Sequence, residues 1–212
     1  MISKSEIQSV LVKLGDSFNA SNEALNEAIQ KTYYENNWLT AESYWQAINH
    51  WKSIFYTENL EIFSASYAFT SVPKKIGLIM AGNIPMVGFH DLLCTLLSGH
   101  IAIVKPSSDD KYVMLYIVDF LVTNGLIDRI HIVERLDSID AVIATGSNNS
   151  FRYFQYYFKH IPNLLRKNRK SIAVLDGSES DEDLNNLAHD VFKHYGLGCR
   201  NVSFLYLPKN MD

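Results

Sequence analysis

The sequence predicts an α/β fold, a mostly parallel sheet with helices on both faces, preceded by a helical N-terminal region. Three observations predict it. Short, near-continuously apolar runs alternate with amphipathic segments from Lys75 onward, the pattern of strands buried on both faces. Polar punctuation falls where those runs stop, at Gly82-Asn83, Lys105 and Thr145-Gly146-Ser147. Residues 1 to about 70 carry helical periodicity. The chain has 212 residues, 47% hydrophobic and 20% charged, which suits one full α/β core or one domain and part of another.

In order, Ile7, Val10, Leu11 and Leu14 recur at helical spacing. Asn22 caps a helix carrying Leu25, Ala28 and Ile29, and Thr40 caps one carrying Tyr44, Ile48, Trp51, Ile54 and Phe55. The aromatic density here, with Trp38, Trp45 and Tyr56 added, reads as core; a docking face is the lesser alternative. Pro73 changes the pattern. Strands are expected at Lys75–Ala81, Ile101–Val104, Ile130–Val133, Ala141–Ala144 and Ser171–Leu175. Helices are expected at Met86–Leu97, Lys111–Val122, after Ser147 through Phe158, and at Asp181–His194. The Tyr/Phe stripe of residues 151–158 reads as core.

The net charge of −4 argues against a general nucleic-acid or anionic-membrane binder. No apolar run reaches spanning length and no signal peptide is visible at the N-terminus, so no membrane insertion is expected. Two cysteines in unlike contexts give no disulfide framework, and a cytoplasmic location is the simpler assumption. Seven scattered histidines offer no metal-ligand spacing, so no metal site is expected.

The stretch Tyr195-Gly196-Leu197-Gly198-Cys199-Arg200-Asn201 places a cysteine between elements, where glycines let the backbone turn tightly. Cys199 is the candidate nucleophile. A free cysteine is more often buried packing, and that is the expectation for Cys94, inside the apolar run Leu92–Leu97. A thiol of ordinary pKa is only a few per cent thiolate at neutral pH. A helix dipole alone would raise that fraction roughly tenfold; Arg200, His194 or a bound cofactor would have to supply more. Ligands of parallel sheets bind at the carboxyl ends of strands. There Lys105 is suited to a ribose or its phosphate, a Gly-Ser pair opening a helix suits a phosphate, and the Asn83 amide suits an oxyanion.

These pieces together resemble the aldehyde dehydrogenase superfamily, and within it the LuxC-type acyl-CoA (fatty-acyl thioester) reductase branch. The residues that carry the resemblance are Ala81-Gly82-Asn83-Ile84-Pro85, Val104-Lys105-Pro106-Ser107-Ser108, Ala144-Thr145-Gly146-Ser147-Asn148-Asn149, Arg166–Ser171 and Tyr195–Asn201. The likeness runs from about Asn37 to the end. It implies a Rossmann-like cofactor domain over 71–198, after a helical region over 1–70, with 199–212 opening a catalytic domain. It also implies a two-step reduction. Cys199 attacks the acyl thioester, and Asn83 with the backbone N–H of Cys199 holds the oxyanion. NADPH then reduces the acyl-enzyme to the aldehyde. Lys105, Ser107, Ser108, Thr145, Gly146 and Ser147 are the implied cofactor contacts. The implied substrate is an acyl-CoA or acyl-carrier thioester, long-chain by the habit of this branch, and the complete protein is expected to be a homo-oligomer.

Three departures bear on that reading. Aldehyde-oxidising relatives keep a water-activating glutamate where Arg166 stands here. NAD-preferring members often have a glutamate for the ribose hydroxyls where Ser108 stands, which turns the expectation to NADPH. The chain also stops at Asp212, thirteen residues after Cys199, where the superfamily continues, so the isolated chain is expected to be truncated and inactive. The alternatives are a short-chain acyl-CoA or acyl-phosphate reductase of the same superfamily, and a non-catalytic nucleotide-binding or interaction module.

Overall fold

The computed structural model describes residues 2–209; the end of the expected 199–212 segment lies outside them. The chain divides into two compact units, Met1–Arg166 and Lys167–Asp212.

The first unit begins with four helices: α1 (Lys4–Ser17), α2 (Glu23–Glu35), α3 (Ala41–Ile54) and α4 (Thr57–Ala65). The starts of the first three follow from side chains that accept the orphan N–H groups of a first turn; α4 has no side-chain cap. Ser3 and Glu6 form a reciprocal capping box on α1, Asn22 accepts from Leu25 N–H, and Thr40 accepts from Ser43 N–H. Each cap is worth about 1 kcal/mol. One face of each helix goes into a common core with the sheet: Ile7, Leu11, Leu14, Leu25, Ile29, Tyr44, Ile48 and Phe55 are buried in one cluster with Leu78, Leu92 and Val104. Trp51 sets its edge against Phe89 (5.0 Å between ring centres, 85°), and Phe55 meets the same ring at 90°. The core expectation holds for Tyr44, Trp51 and Phe55, whereas Trp38 and Tyr56 are exposed.

Five parallel strands follow in the order β3-β2-β1-β4-β5: β1 (Lys75–Ile79), β2 (Ile101–Lys105), β3 (Ile130–Ile132), β4 (Ala141–Thr145) and β5 (Asn163–Arg166). Helix α5 (Phe89–Leu97) connects β1 to β2. Helix α6 (Lys111–Leu121), continued by a π turn over Val122–Leu126, connects β2 to β3, and α7 (Asn148–Phe158) connects β4 to β5. The fold is the Rossmann-like α/β class that the alternating pattern predicted.

Three local expectations need correction. The helix expected from Met86 starts at Phe89, because Met86 is left-handed (φ 56°) and its N–H is taken by Asp110. Strand β5 was not foreseen; Asn163-Leu164-Leu165-Arg166 is short, and its hydrogen bonds to β4 define it. The aromatic stripe of α7 is not core: Tyr153, Tyr156 and Tyr157 are 65%, 69% and 60% exposed, and no residue of α7 is buried.

The second unit holds β6 (Ser171–Val174), α8 (Asp181–Phe192), a 3-10 turn (Lys193–Gly196) and β7 (Val202–Tyr206), with β6 and β7 parallel. Ser180 and Asp183 form the capping box that starts α8. Leu175 is its one buried residue among those described.

Candidate active site

Strand β1 has β2 on one side and β4 on the other, so the chain order reverses beside it. A crevice at the carboxyl end of such a reversal is where open α/β sheets bind ligands. Gly82-Asn83 leaves the sheet after β1, Lys105–Ser108 after β2, and Thr145-Gly146-Ser147 after β4. The fold thus brings these three polar segments to one end of the sheet.

The first two are locked together. Met80 N–H donates to Lys105 O (3.1 Å). A Cβ on Gly82 would lie 2.5 Å from Ser107 Oγ and 2.9 Å from Asp110 N; only a residue without a side chain lets the segments approach this closely. Asp110, 2% exposed, accepts from the Met86 N–H (2.7 Å) and from Tyr44 Oη (2.6 Å). Burial pushes its carboxyl up to about 7, with the two donated bonds working in the opposite direction. Burial also pushes the Tyr44 phenol well above its ordinary value, and the Asp110 charge adds to that. A bulky residue at positive φ costs about 1–3 kcal/mol, and the 1% exposed side chain of Met86 and the Asp110 bond hold it there.

Lys105 is exposed at the tip of β2. Ser107 Oγ accepts from Asp109 N–H (3.2 Å), and Ser108 Oγ donates to the Asp109 carboxylate (3.3 Å). After β4, Thr145 is paired with Arg166 in the sheet register. The Gly146 N–H is committed to Arg166 O (3.1 Å), and a Cβ there would press Phe154 and Ser150 of α7 at 3.0 Å. Ser147 caps α7 by accepting from Ser150 N–H, with its hydroxyl exposed. An exposed ammonium and a helix N-terminus are groups that could meet a dinucleotide, while Gly82 and Gly146 are small where the chain's own segments pack.

Arg166 ends β5 and donates from one nitrogen to both oxygens of Asp91 in α5, 2.7 Å each. Burial raises the Asp91 carboxyl, but the His90 and Arg166 contacts outweigh it and hold it below the usual range. His90 is raised to about 9, chiefly by Asp91 and then by Cys94. At 3.9 Å the His90–Asp91 contact is charge attraction and too long for a hydrogen bond. Cys94 is half-buried rather than buried as expected; it donates to Tyr67 Oη (3.4 Å) and has the His90 ring nitrogens at 3.6 and 3.8 Å.

Cys199 lies in the second unit, exposed, in the turn between the 3-10 segment and β7. No helix starts there, so the dipole aid considered from sequence does not apply. Burial, then Lys193, hold His194 below its ordinary value, which works against the cation considered from sequence. Asn201, to which sequence reasoning gave no role, organises the turn. Its side-chain amide donates to the carbonyls of Asp190 (2.8 Å), Val191 (3.3 Å) and Lys193 (2.9 Å), and its N–H donates to Gly198 O (3.0 Å). The signal was an amide residue just past a helix end, where carbonyls lack donors. Among the described residues no group of three His, Cys, Asp or Glu could hold a metal ion, and no helix is long and apolar enough to cross a membrane.

Solved aldehyde dehydrogenase structures share this fold. A protein from Burkholderia cenocepacia provisionally assigned as an aldehyde dehydrogenase aligns with a TM-score of 0.76 at 18% identity, over 98% of this chain and 49% of its own. The NAD+ complex of the Bacillus cereus aldehyde dehydrogenase aligns at 0.73 and 15%, over 98% and 48%. The aldehyde dehydrogenase KauB of Pseudomonas aeruginosa aligns at 0.72 and 15%, over 98% and 48%. The chain spans about half the length of these proteins. No curated protein matches it in sequence. The family model of the acyl-CoA reductases (LuxC) matches residues 58–210, from α4 to the last residues of the chain, and the chain belongs to that family.

Proposed function

We propose that this chain is the cofactor-binding part of a cytoplasmic reductase that converts a long-chain acyl-CoA or acyl-carrier thioester to the aldehyde through an acyl-cysteine, with NADPH as donor. The observation that carries the reading is Arg166. By the resemblance it stands at about the position where aldehyde-oxidising relatives keep a carboxylate base, and it is tied to Asp91 at 2.7 Å. A guanidinium does not deprotonate in proteins, so Arg166 activates no water there. An acyl-enzyme spared hydrolysis persists long enough to be reduced.

In this reading the Cys199 thiolate attacks the thioester carbonyl, a new C–S bond forms, and the carrier leaves as its thiolate. Thioester exchange splits one hard conversion into two easier ones. The resemblance assigns the Asn83 amide and the Cys199 N–H as donors to the tetrahedral oxyanion; one such donor is worth about 2.7–4 kcal/mol in the transition state. The bound nicotinamide supplies the hydride. Lys105 and Ser147 would hold its ribose and phosphates, with Ser107, Thr145 and Gly146 bordering that site. Ser108 puts no carboxylate of its own beside the ribose, which favours a 2′-phosphate. The neighbouring Asp109 carboxylate, bonded by Ser108, opposes it, so the preference rests on Lys105 outweighing Asp109.

The test is aldehyde formation and NADPH or NADH consumption by the full-length protein, over acyl-CoA chain lengths and an acyl phosphate. The wild type is expected to give an acyl adduct on Cys199 by intact mass, and Cys199→Ala to lose both adduct and turnover. Equal turnover by Cys199→Ala overturns the reading. A profile peaking at two to four carbons, or on acyl phosphate, moves the enzyme to another acylating branch.

A further inference from the structure

Asp110 is 2% exposed, and a carboxylate in an apolar core is expensive unless its bonds are made. An apolar pair of the same shape is often as stable or more so. Yet the two oxygens of Asp110 are used separately: Oδ1 accepts from Tyr44 Oη of α3, and Oδ2 accepts from Met86 N–H. Met86 is the left-handed residue that ends the segment carrying Asn83. The other end of that segment is fastened to the same loop, by Met80 N–H on Lys105 O and by Gly82 packed on Ser107 Oγ and Asp110 N. Asn83 is therefore bracketed between two attachments, both on residues 105–110.

We propose that Asp110, oriented by Tyr44, is a positioning residue that sets the Asn83 amide relative to the Lys105–Ser108 loop. The proposal rests on the reading of Asn83 as an oxyanion donor. It assigns the N-terminal helices a catalytic purpose: α3 supplies the hydroxyl that aims the carboxylate. Asparagine at 110 preserves the arrangement, since its carbonyl accepts from Met86 and its amide donates to the Tyr44 oxygen.

The experiment compares Asp110→Ala, Asp110→Asn, Tyr44→Phe and Asn83→Ala in the full-length protein. It reads single-turnover acylation by a long-chain acyl-CoA, NADPH affinity and amide hydrogen exchange. Asn83→Ala is expected to slow acylation by about 10²–10³. Asp110→Ala is expected to slow it by about 10–10², the scale of a misplaced catalytic group. Exchange at Met86 should rise, NADPH affinity should change little and β2 should stay protected. Asp110→Asn should restore both acylation and protection, and Tyr44→Phe should fall between wild type and Asp110→Ala. If Asn83→Ala is slow while Asp110→Ala acylates normally, the positioning role is overturned and the Asn83 reading survives. If Asn83→Ala is normal, the Asn83 reading itself fails. If Asp110→Ala loses β2 protection, Tyr44→Phe decides: unchanged acylation and Met86 exchange overturn the proposal.

Discussion

The Asn83 loop and the Cys199 turn both depend on left-handed residues, but they are held in opposite ways. Met86 is 1% exposed and is pinned by a buried carboxylate that reaches back to α3. His194, Tyr195 and Gly196 are left-handed in succession (φ 52°, 56° and 73°) in a unit with one buried residue among those described. Packing has little to grip there, and the hydrogen bonds of Asn201 take its place. Geometry enforced by burial fails only when the core fails, whereas geometry enforced by one amide fails locally.

The sharpest way to break that contrast is Trp51→Ala. Losing a buried aromatic that sits on Phe89 and Phe55 should cost about 3–5 kcal/mol and lower the thermal midpoint of the first unit by many degrees. Hydrogen exchange should rise through β1 and β2 together. If only the α3 segment opened, the N-terminal helices would not share the sheet's core, against the buried cluster that contains both. A smaller and more local effect is expected of Asn201→Ala. Each lost bond is worth about 0.5–1.5 kcal/mol, and proteolytic cutting near residues 193–201 should accelerate with the main melting transition unmoved. Asn201→Asp should not rescue it, because a carboxylate has no proton to donate to three carbonyls.

The first unit should also show a pH effect. Burial raises the Asp110 carboxyl to about 7, above its unfolded value near 4. The folded state then binds more protons than the unfolded chain between those limits. Stability contributed by the protonated form is complete below about pH 4 and is lost as pH rises through about 7. Asp110→Asn should flatten that slope in denaturant titrations at pH 4 to 8; an unchanged slope would assign it to another group.

The elements were legible where local chemistry decides them. Asn22, Thr40 and Ser147 cap the helices they precede, and the apolar runs before Gly82, Lys105 and Thr145 are the three inner strands. The three polar segments at one end of the sheet followed from that alternation, and the likeness to the reductases supplied the roles. What stayed illegible depends on partners far along the chain. Nothing near Met86 in sequence announces that Asp110 will take its N–H. Asn163–Arg166 is a strand through its bonds to β4, and α7 looks like core because an aromatic stripe has the same spacing whether or not anything covers it. Cys94 reads as packing from its neighbours, yet Tyr67 and His90 meet it from outside that run.

The least effect is expected at His90, and it separates two causes. Its imidazole is half-exposed in the first turn of α5, where a helix N-terminus disfavours a cation. The nearby Asp91 carboxylate, and secondarily Cys94, raise it to about 9. The protonated form therefore contributes stability that is complete below about pH 6.5 and is lost as pH rises through about 9; solvent screening keeps the contribution small. Asp91→Asn removes the charge, and the His90 midpoint followed by NMR should fall, since the lesser Cys94 contact alone then opposes burial. If it stays near 9 in Asp91→Asn but falls in Cys94→Ala, the sulfur contact is the cause. The first unit would then hold a histidine–cysteine pair whose charge is independent of the Asp91–Arg166 bridge.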